Sequence, residues 1–294
     1  MATGDLALPP AATRPPAVTS TASPSEVSRL VELIRERRGF DLSGYKRNPL
    51  GRSIARRAAA CHCATIEEYC ALAEASDDEL GLLLSQITVE YSEFFRDPEL
   101  FDLLRERLLP ELIERKKRAG QPAIRLWSVG CAGGEEAYSL AIVLLEALGA
   151  HPDGFDIKLF ATDVDAASLA RARAGRYRNE ELAGLEPQAL GRYFRGRRTL
   201  VVRPFLRDLV CFGVHNVLTD PPISKLDLIA CRNVLIYLEK DAQVHTLRDL
   251  CYGLVPGGCL VLGKTEKLRP EVEAAFEPVN EKWRVYRRIE GPTP

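Results

Sequence analysis

The chain has no apolar run approaching the roughly 20 residues needed to cross a bilayer. It also lacks a charge excess: 40 lysines and arginines stand against 41 aspartates and glutamates, a formal balance of −1. Proteins that depend on bulk attraction to nucleic acid are usually basic overall, so no nucleic-acid partner is expected. The first residues, MATGDLALPPAATRPPAVTSTASP, carry Asp5 and repeated prolines where a secretory signal has a basic start and an apolar centre. The expectation is a disordered Pro/Ala/Thr-rich arm over residues 1–22, a cytoplasmic location and no membrane insertion. Internal repeats are absent. So is the paired C-x-x-C spacing of structural zinc sites, which Cys61-His62-Cys63 with Cys70 does not supply, and no metal is expected. Cys211, Cys231 and Cys259 fall inside apolar strand-like runs and read as reduced, buried thiols.

What is present is a chain of 294 residues, 46% hydrophobic, able to bury one large core or a large and a small one. Ser23-Pro24-Ser25-Glu26 fits a capping box with proline at the first helical position. Apolar Val27, Leu30, Val31 and Ile34 follow at helical spacing, with Arg29, Arg35, Arg37 and Arg38 on the other side. Lys46, Arg47, Arg52, Arg56 and Arg57 form a second basic segment, and TIEEYCALAEA and SDDELGLLLSQI read as two more helices. Residues 23–88 are therefore expected to be a helical domain whose basic faces could hold an acidic partner.

From Ile124 the pattern alternates between strand and helix, as in an open, mostly parallel α/β sheet. IRLWSVG, DIKLFATD, LVCFGVHN, LDLIACRNVLIYL and CLVLG read as strands, VPGG as a turn, and AFEPV with WRVYRRI as a hairpin. Residues 176–206 break the alternation and read as an insertion. The expected α/β domain spans 89–290.

The first strand ends in Gly130-Cys131-Ala132-Gly133-Gly134-Glu135, a glycine turn opening a helix. It is not G-x-G-x-x-G. Glu135 and Glu136 stand where a dinucleotide's pyrophosphate would sit, and a carboxylate there repels phosphate. It suits instead a ligand with an ammonium and a sulfonium, as in S-adenosylmethionine. The second strand ends in Asp163, whose two oxygens can accept both ribose hydroxyls; the plainer reading is a helix N-cap.

In order along the chain, ITVEYSEFFRDPELF, RLWSVGCAGGEEAYSLA, LFATDVDAASLARARAGRY, HNVLTDPP and LDLIACRNVLIYL resemble the CheR family of chemoreceptor glutamate methyltransferases. The resemblance covers about residues 25–288. It implies an N-terminal all-α domain, a Rossmann-like methyltransferase domain and, within 176–206, a small inserted antiparallel β-subdomain. It also implies S-adenosylmethionine as cofactor, receptor cytoplasmic helices as partner, and methyl esters of glutamate side chains as product; a monomer is expected. By matching position, Ser92 and Arg96 would line the cofactor and substrate cleft. Glu135 would face the amino-acid end of the cofactor, Asp163 its ribose, and Asn216 and Val217 its adenine, with Arg232, Asn233 and Tyr237 completing the site. Two positions depart from the family pattern: Glu90 stands where asparagine is common, and Gly133 where threonine is common. Glu90 adds negative charge that either hinders a carboxylate or helps hold a sulfonium.

A glutamate with a pKa near 4.3 is already ionised at neutral pH, so its methylation needs alignment more than a base. Arg96 is suited to orient the carboxylate and Tyr237 to pack near the methyl group. The alternatives are a methyltransferase of the same fold with another protein or small molecule as substrate, and a non-catalytic cofactor-binding signalling module.

Overall fold

Ser23 opens the first helix through a reciprocal cap. Its Oγ accepts from the Glu26 N–H at 3.3 Å, and Glu26 Oε2 accepts from the Ser23 N–H at 2.7 Å. The structure, a computed structural model, describes residues 21–88, 92–149 and 154–291. Most of the expected N-terminal arm and Glu90 lie outside the described residues. The chain divides into two units: one holds Arg47–Ile87 and the described residues before Gly39, the other Gly39–Lys46 and the described residues from Thr88 onward.

The first unit is built from α1 (Pro24–Arg38), α2 (Arg47–Ala60), α3 (Ile66–Ala75) and α4 (Asp77–Ile87). Its core takes Val27, Leu30, Val31 and Ile34 from α1, the residues expected from helical spacing, and Leu80, Leu83 and Ile87 from α4. The basic face of α1 is largely neutralised within the unit. Arg29 pairs with Glu67 at 2.7 Å and Glu74 at 2.5 Å, and Arg37 with Asp77 at 3.2 Å. Arg57 does not belong to an open docking face at all: its Nε and Nη2 donate to the two oxygens of buried Glu79 at 2.6 and 2.8 Å. Arg52 and Arg56 remain exposed.

The second unit is a seven-stranded sheet. Its strands are β1 (Ala123–Val129), β2 (Asp156–Asp163), β6 (Val210–Val214), β7 (Leu226–Cys231), β8 (Leu254–Leu262), β9 (Phe276–Asn280) and β10 (Val285–Arg288). They lie in the order β6-β2-β1-β7-β8-β10-β9. Pairings from β6 to β8 are parallel, and β10 runs antiparallel to both neighbours. Ile124 and Leu126 of β1 enter one core layer, Trp127 and Val129 the other. Burial on both faces explains why the strands read as apolar runs.

A second sheet, β3 (Arg176–Arg178), β4 (Phe194–Gly196) and β5 (Thr199–Val202), has the order β3-β5-β4 with antiparallel pairs. This is the expected insertion.

Two elements differ from the sequence reading. The strand expected over LDLIACRNVLIYL stops at Cys231, because Asn233 takes a left-handed φ of 61° and the chain turns into a 3-10 segment at Leu235–Tyr237. VPGG is part of β8 instead of a turn before it. The pairing with β7 shifts between Leu226 and Leu228, which absorbs the glycines as an irregularity within the strand.

Candidate cofactor and substrate cleft

The parallel strands β6, β2, β1 and β7 all end on one edge of the sheet, and the segments leaving those ends line a cleft. Its open volume is about 1120 Å³ with its solvent mouth included, roomy enough for a nucleoside-sized ligand. Connections from β1 run towards β2 on one side, while β7 continues on the other, so the crevice lies at a topological switch point. Gly130 is required there. Its φ is +66°, and a Cβ would come within 2.7 Å of Val234 Cγ2.

Asp163, at the end of β2, lines this cleft. Its Oδ2 accepts the Ala132 N–H at 2.8 Å and its Oδ1 the Asp165 N–H at 3.0 Å. The N-cap of α8 (Ala166–Ala174) is Asp165, so Asp163 is left to brace the glycine turn and face the cleft. Burial raises its pKa above the ordinary carboxylate value, against the lowering effect of those backbone N–H groups.

After β6, His215, Asn216 and Val217 line the cleft. Asn216 Oδ1 accepts the Leu218 N–H at 3.0 Å, and Asp220 Oδ2 accepts the Asn216 N–H at 2.9 Å, which fixes the turn. His215 stacks edge-on against Trp127 with ring centroids 5.2 Å apart.

After β7, Arg232 is buried and heavily engaged. It donates to Glu136 Oε2 at 3.0 Å, Asp97 Oδ2 at 2.5 Å and the Arg96 carbonyl at 3.0 Å. Its geometry therefore ties the β7 end to α7 (Glu135–Leu148) and to the loop bearing Arg96. Asn233 lines the cleft, and its N–H donates to Glu266 Oε2 at 2.9 Å. Arg96, Ser92 and Tyr237 are cleft-lining as well. Asp97, next to Arg96 in the chain, is held by Arg232 at 2.5 Å and by Lys264 at 2.7 Å.

Glu135 is placed differently from the rest. It is 2% exposed and does not line the cleft, whereas its neighbour Glu136 does. Arg171 Nη2 reaches Glu135 Oε1 at 2.9 Å, and the Ser92 side chain, itself in the cleft lining, helps stabilise the charged carboxylate. Burial raises the Glu135 pKa despite help from its own N–H, Arg171 and Ser92.

The sequence reading missed two contributors, Tyr45 and Glu266. Tyr45 lines the cleft from Gly39–Lys46, a stretch taken as part of the helical domain. Its N–H is bonded to the Leu42 carbonyl at 2.9 Å, the Lys46 N–H to the Tyr237 carbonyl at 2.8 Å, and the Glu239 N–H to the Gly44 carbonyl at 2.8 Å. Buried Glu266 accepts from the N–H groups of Gly263 at 2.6 Å and Ile236 at 3.3 Å as well as Asn233, and so holds the Arg232–Tyr237 loop. Glu136 is tied to Ser128 Oγ at 2.7 Å.

The residues fit an adenosine-containing ligand with a cationic end. Glu135 Oε2 and His215 Nδ1 are buried and have no hydrogen-bond partner among the described residues, an unusual condition that a polar ligand relieves. Acidic Asp163, Glu93 and Glu136 line the same cleft as the glycine turn, where a pyrophosphate would be repelled. Fold and cleft together define the class of Rossmann-like, nucleoside-binding methyltransferases.

Residues 25–88 match the all-alpha domain of CheR methyltransferase and residues 90–285 its SAM-binding domain. The chain is 35% identical to the chemotaxis protein methyltransferase of Salmonella typhimurium over 83% of this chain and 84% of that one. It is 33% identical to a probable chemotaxis protein methyltransferase of Rhizobium etli, over 72% and 81%. An uncharacterized 104.1 kDa protein of Rhodobacter capsulatus is 32% identical over 90% of this chain, which spans only 27% of that protein's length. The chain belongs to the CheR methyltransferase family. Its cofactor is S-adenosylmethionine.

Among the described residues, no helix is long and apolar enough to cross a membrane.

Proposed function

We propose that the protein transfers a methyl group to glutamate side-chain carboxylates of methyl-accepting chemotaxis receptors, giving methyl esters in sensory adaptation. The observation that carries this reading is the lining of one cleft by Arg96 and Tyr237 together with Asp163 and Asn216. An anion-orienting cation thus shares a site with groups suited to a nucleoside. When bound, S-adenosylmethionine supplies an electrophilic methyl group on a sulfonium.

In this reading Asp163 accepts ribose hydroxyls, and Asn216, Val217 and the edge of His215 flank the adenine. Ser92, Asn233 and Arg232 shape the remaining wall, Arg232 acting through the ion pairs that fix the Arg96 loop. Arg96 draws the already ionised glutamate into line through charge-assisted hydrogen bonds. Tyr237 closes the cleft beside the transfer path, on a turn held by Glu266 and the Gly44–Lys46 segment. No residue has to take a proton from the substrate, because a glutamate carboxyl loses it to water at neutral pH. The domain limits that go with this function are a helical region of 23–88 and a methyltransferase region of 89–290.

The test is incubation with radiolabelled cofactor and receptor cytoplasmic fragments, followed by base treatment. Base-labile label on glutamate is expected. Label on another residue type, or transfer only to a small molecule, would overturn the substrate assignment.

A further inference from the structure

The carboxylate of Glu135 is held by a chain of groups that the glycine turn alone does not explain. Arg171, on α8, shares its Nη2 between Glu135 Oε1 at 2.9 Å and Glu181 Oε1 at 2.5 Å. Glu181 belongs to the insertion, where its other oxygen accepts the Arg178 N–H at 2.7 Å. Tyr177, also of the insertion, donates its hydroxyl to the Gly133 carbonyl at 2.6 Å and lies under the Arg171 guanidinium, 5.6 Å from the ring centroid. The insertion therefore braces both the cation and the turn that flank Glu135.

Gly133 makes room for this arrangement. A Cβ there would stand 2.7 Å from Glu135 Oε1, 3.0 Å from Oε2 and 3.2 Å from Arg171 Cζ. A side chain there would push the carboxylate or the guanidinium from its present position, so the ion pair as it stands uses the space that Gly133 leaves.

We propose that Arg171 is a positioning residue that fixes Glu135, through the space left by Gly133, with Oε2 kept for the ammonium of the cofactor's amino-acid end. The proposal rests on the reading of Glu135 as the carboxylate that serves that end. Geometry gives the division of labour: Arg171 and Ser92 take part of the carboxylate's hydrogen-bonding capacity, and Oε2 remains buried and unpartnered among the described residues. Burial also favours the neutral acid, and the cation beside it opposes that tendency.

The experiment is calorimetric titration of the intact protein with S-adenosylhomocysteine and with 5′-methylthioadenosine, which keeps the nucleoside but lacks the amino-acid end. Arg171→Met is expected to weaken S-adenosylhomocysteine binding by about tenfold, the loss of one charge-assisted contact, and to leave methylthioadenosine unchanged. Arg171→Lys should recover part of the loss. Glu135→Gln should weaken S-adenosylhomocysteine as much, and the double variant should bind no worse than the poorer single one.

If Glu135→Gln weakens S-adenosylhomocysteine and Arg171→Met does not, the positioning role is wrong. Equal weakening of both ligands by Arg171→Met also overturns it, because Arg171 then merely holds the fold. Unchanged S-adenosylhomocysteine binding in Glu135→Gln overturns the underlying reading of Glu135 and the proposal with it. Should Arg171→Met fail to fold, Gly133→Ala decides: it should displace the carboxylate and weaken S-adenosylhomocysteine alone, and an effect on both ligands or on neither overturns the proposal.

Discussion

Two buried glutamates, one in each unit, show how differently the same side chain can be used. Glu79 of the helical unit is 8% exposed and Glu135 of the methyltransferase unit 2%. Burial alone would raise both pKa values. At Glu79, hydrogen bonds from Arg57, Tyr69 and Cys61 outweigh burial, and its pKa lies below the ordinary 4.5. At Glu135 burial wins, because its one arginine is shared with Glu181 and one of its oxygens has no partner among the described residues. A fully satisfied carboxylate ties α2, α3 and α4 together. An incompletely satisfied one, next to a cleft, is the condition expected of a group that serves a ligand.

The largest expected effect breaks the first half of this comparison. Glu79→Ala leaves the half-buried Arg57 guanidinium and the buried Tyr69 hydroxyl without their partner, and losing charge-assisted hydrogen bonds typically costs about 1.5–3 kcal/mol each. Urea denaturation of the variant should show a loss of that size, and a loss below about 1 kcal/mol would place the pair with ordinary surface bridges. Arg57→Glu should be comparably destabilising, so it cannot serve as a probe of receptor docking. Next comes Arg96→Ala, which should lower receptor methylation at least tenfold while leaving the urea midpoint unchanged. Losing a charge-assisted contact costs about 1.5–3 kcal/mol, which sets that scale. Wild-type rates in this variant would remove Arg96 from the reaction.

A pH titration sharpens the comparison, because the two kinds of carboxylate have opposite signs. Glu79, with its lowered pKa, contributes stability that is present above its ordinary 4.5 and is lost as pH falls through the folded value. Glu135 and Asp163 have raised values, so their contribution is present below the ordinary 4.5 and 3.8 and is lost as pH rises through the folded values. Bound S-adenosylhomocysteine should reverse that loss. The gain in melting temperature on adding it is therefore expected to grow with pH from about pH 4 upwards, until both groups are ionised. A gain independent of pH would mean that neither carboxylate, Glu135 at the ammonium or Asp163 at the ribose, meets the ligand.

The sequence exposed those parts of the site that are local. A strand, a glycine turn and a helix are contiguous, so Gly130, Asp163 and the alternation around them could be read in order, and the Ser23 cap is spelled out in four residues. Groups brought in from elsewhere left no such trace. Glu266 sits in the polar stretch KTEKLRP and reads as solvent-facing; it becomes buried only where the end of β8 meets the Asn233 loop. Tyr45 lies between helices, and nothing in its neighbourhood says that it packs at the Tyr237 turn. The early end of β7 was hidden for another reason: RNVLIY is apolar enough for a strand, and only the left-handed Asn233 breaks it. The basic helices misled in the opposite direction, since arginines that look free in sequence have acidic partners on α3 and α4.

That neutralisation leaves α2 with a smaller docking surface than its sequence promised. Arg52 and Arg56 are exposed, and Arg56 donates to the Ser53 hydroxyl at 3.3 Å. Reversing both to glutamate should raise the apparent KM for receptor a few-fold, with kcat unchanged and weaker salt dependence, as rim charges typically act. An unchanged KM across ionic strengths would show that the charges serve solvation alone.

The smallest expected effect concerns the insertion. In the family resembled here, some members grip a receptor's C-terminal tail with the β-subdomain, through a longer, glycine-rich loop between its strands. Here Arg197 and Arg198 alone join β4 to β5. Gly196 has a φ of +122°, and a Cβ on it would lie 2.2 Å from the Thr199 carbonyl oxygen, so the turn is closed as tightly as a chain allows. Such a loop has little backbone to wrap around a peptide. The inner face of the insertion is already occupied, with Tyr177 and Glu181 bracing Gly133 and Arg171. The protein is therefore expected to methylate receptors directly on their helices, at the same rate whether or not the receptor carries its C-terminal tail. Titration with tail peptides from its own genome should give no heat. Stoichiometric binding of one of them, with a fall in rate when that tail is removed, would show that the two-residue turn leaves an edge of the small sheet free for strand addition.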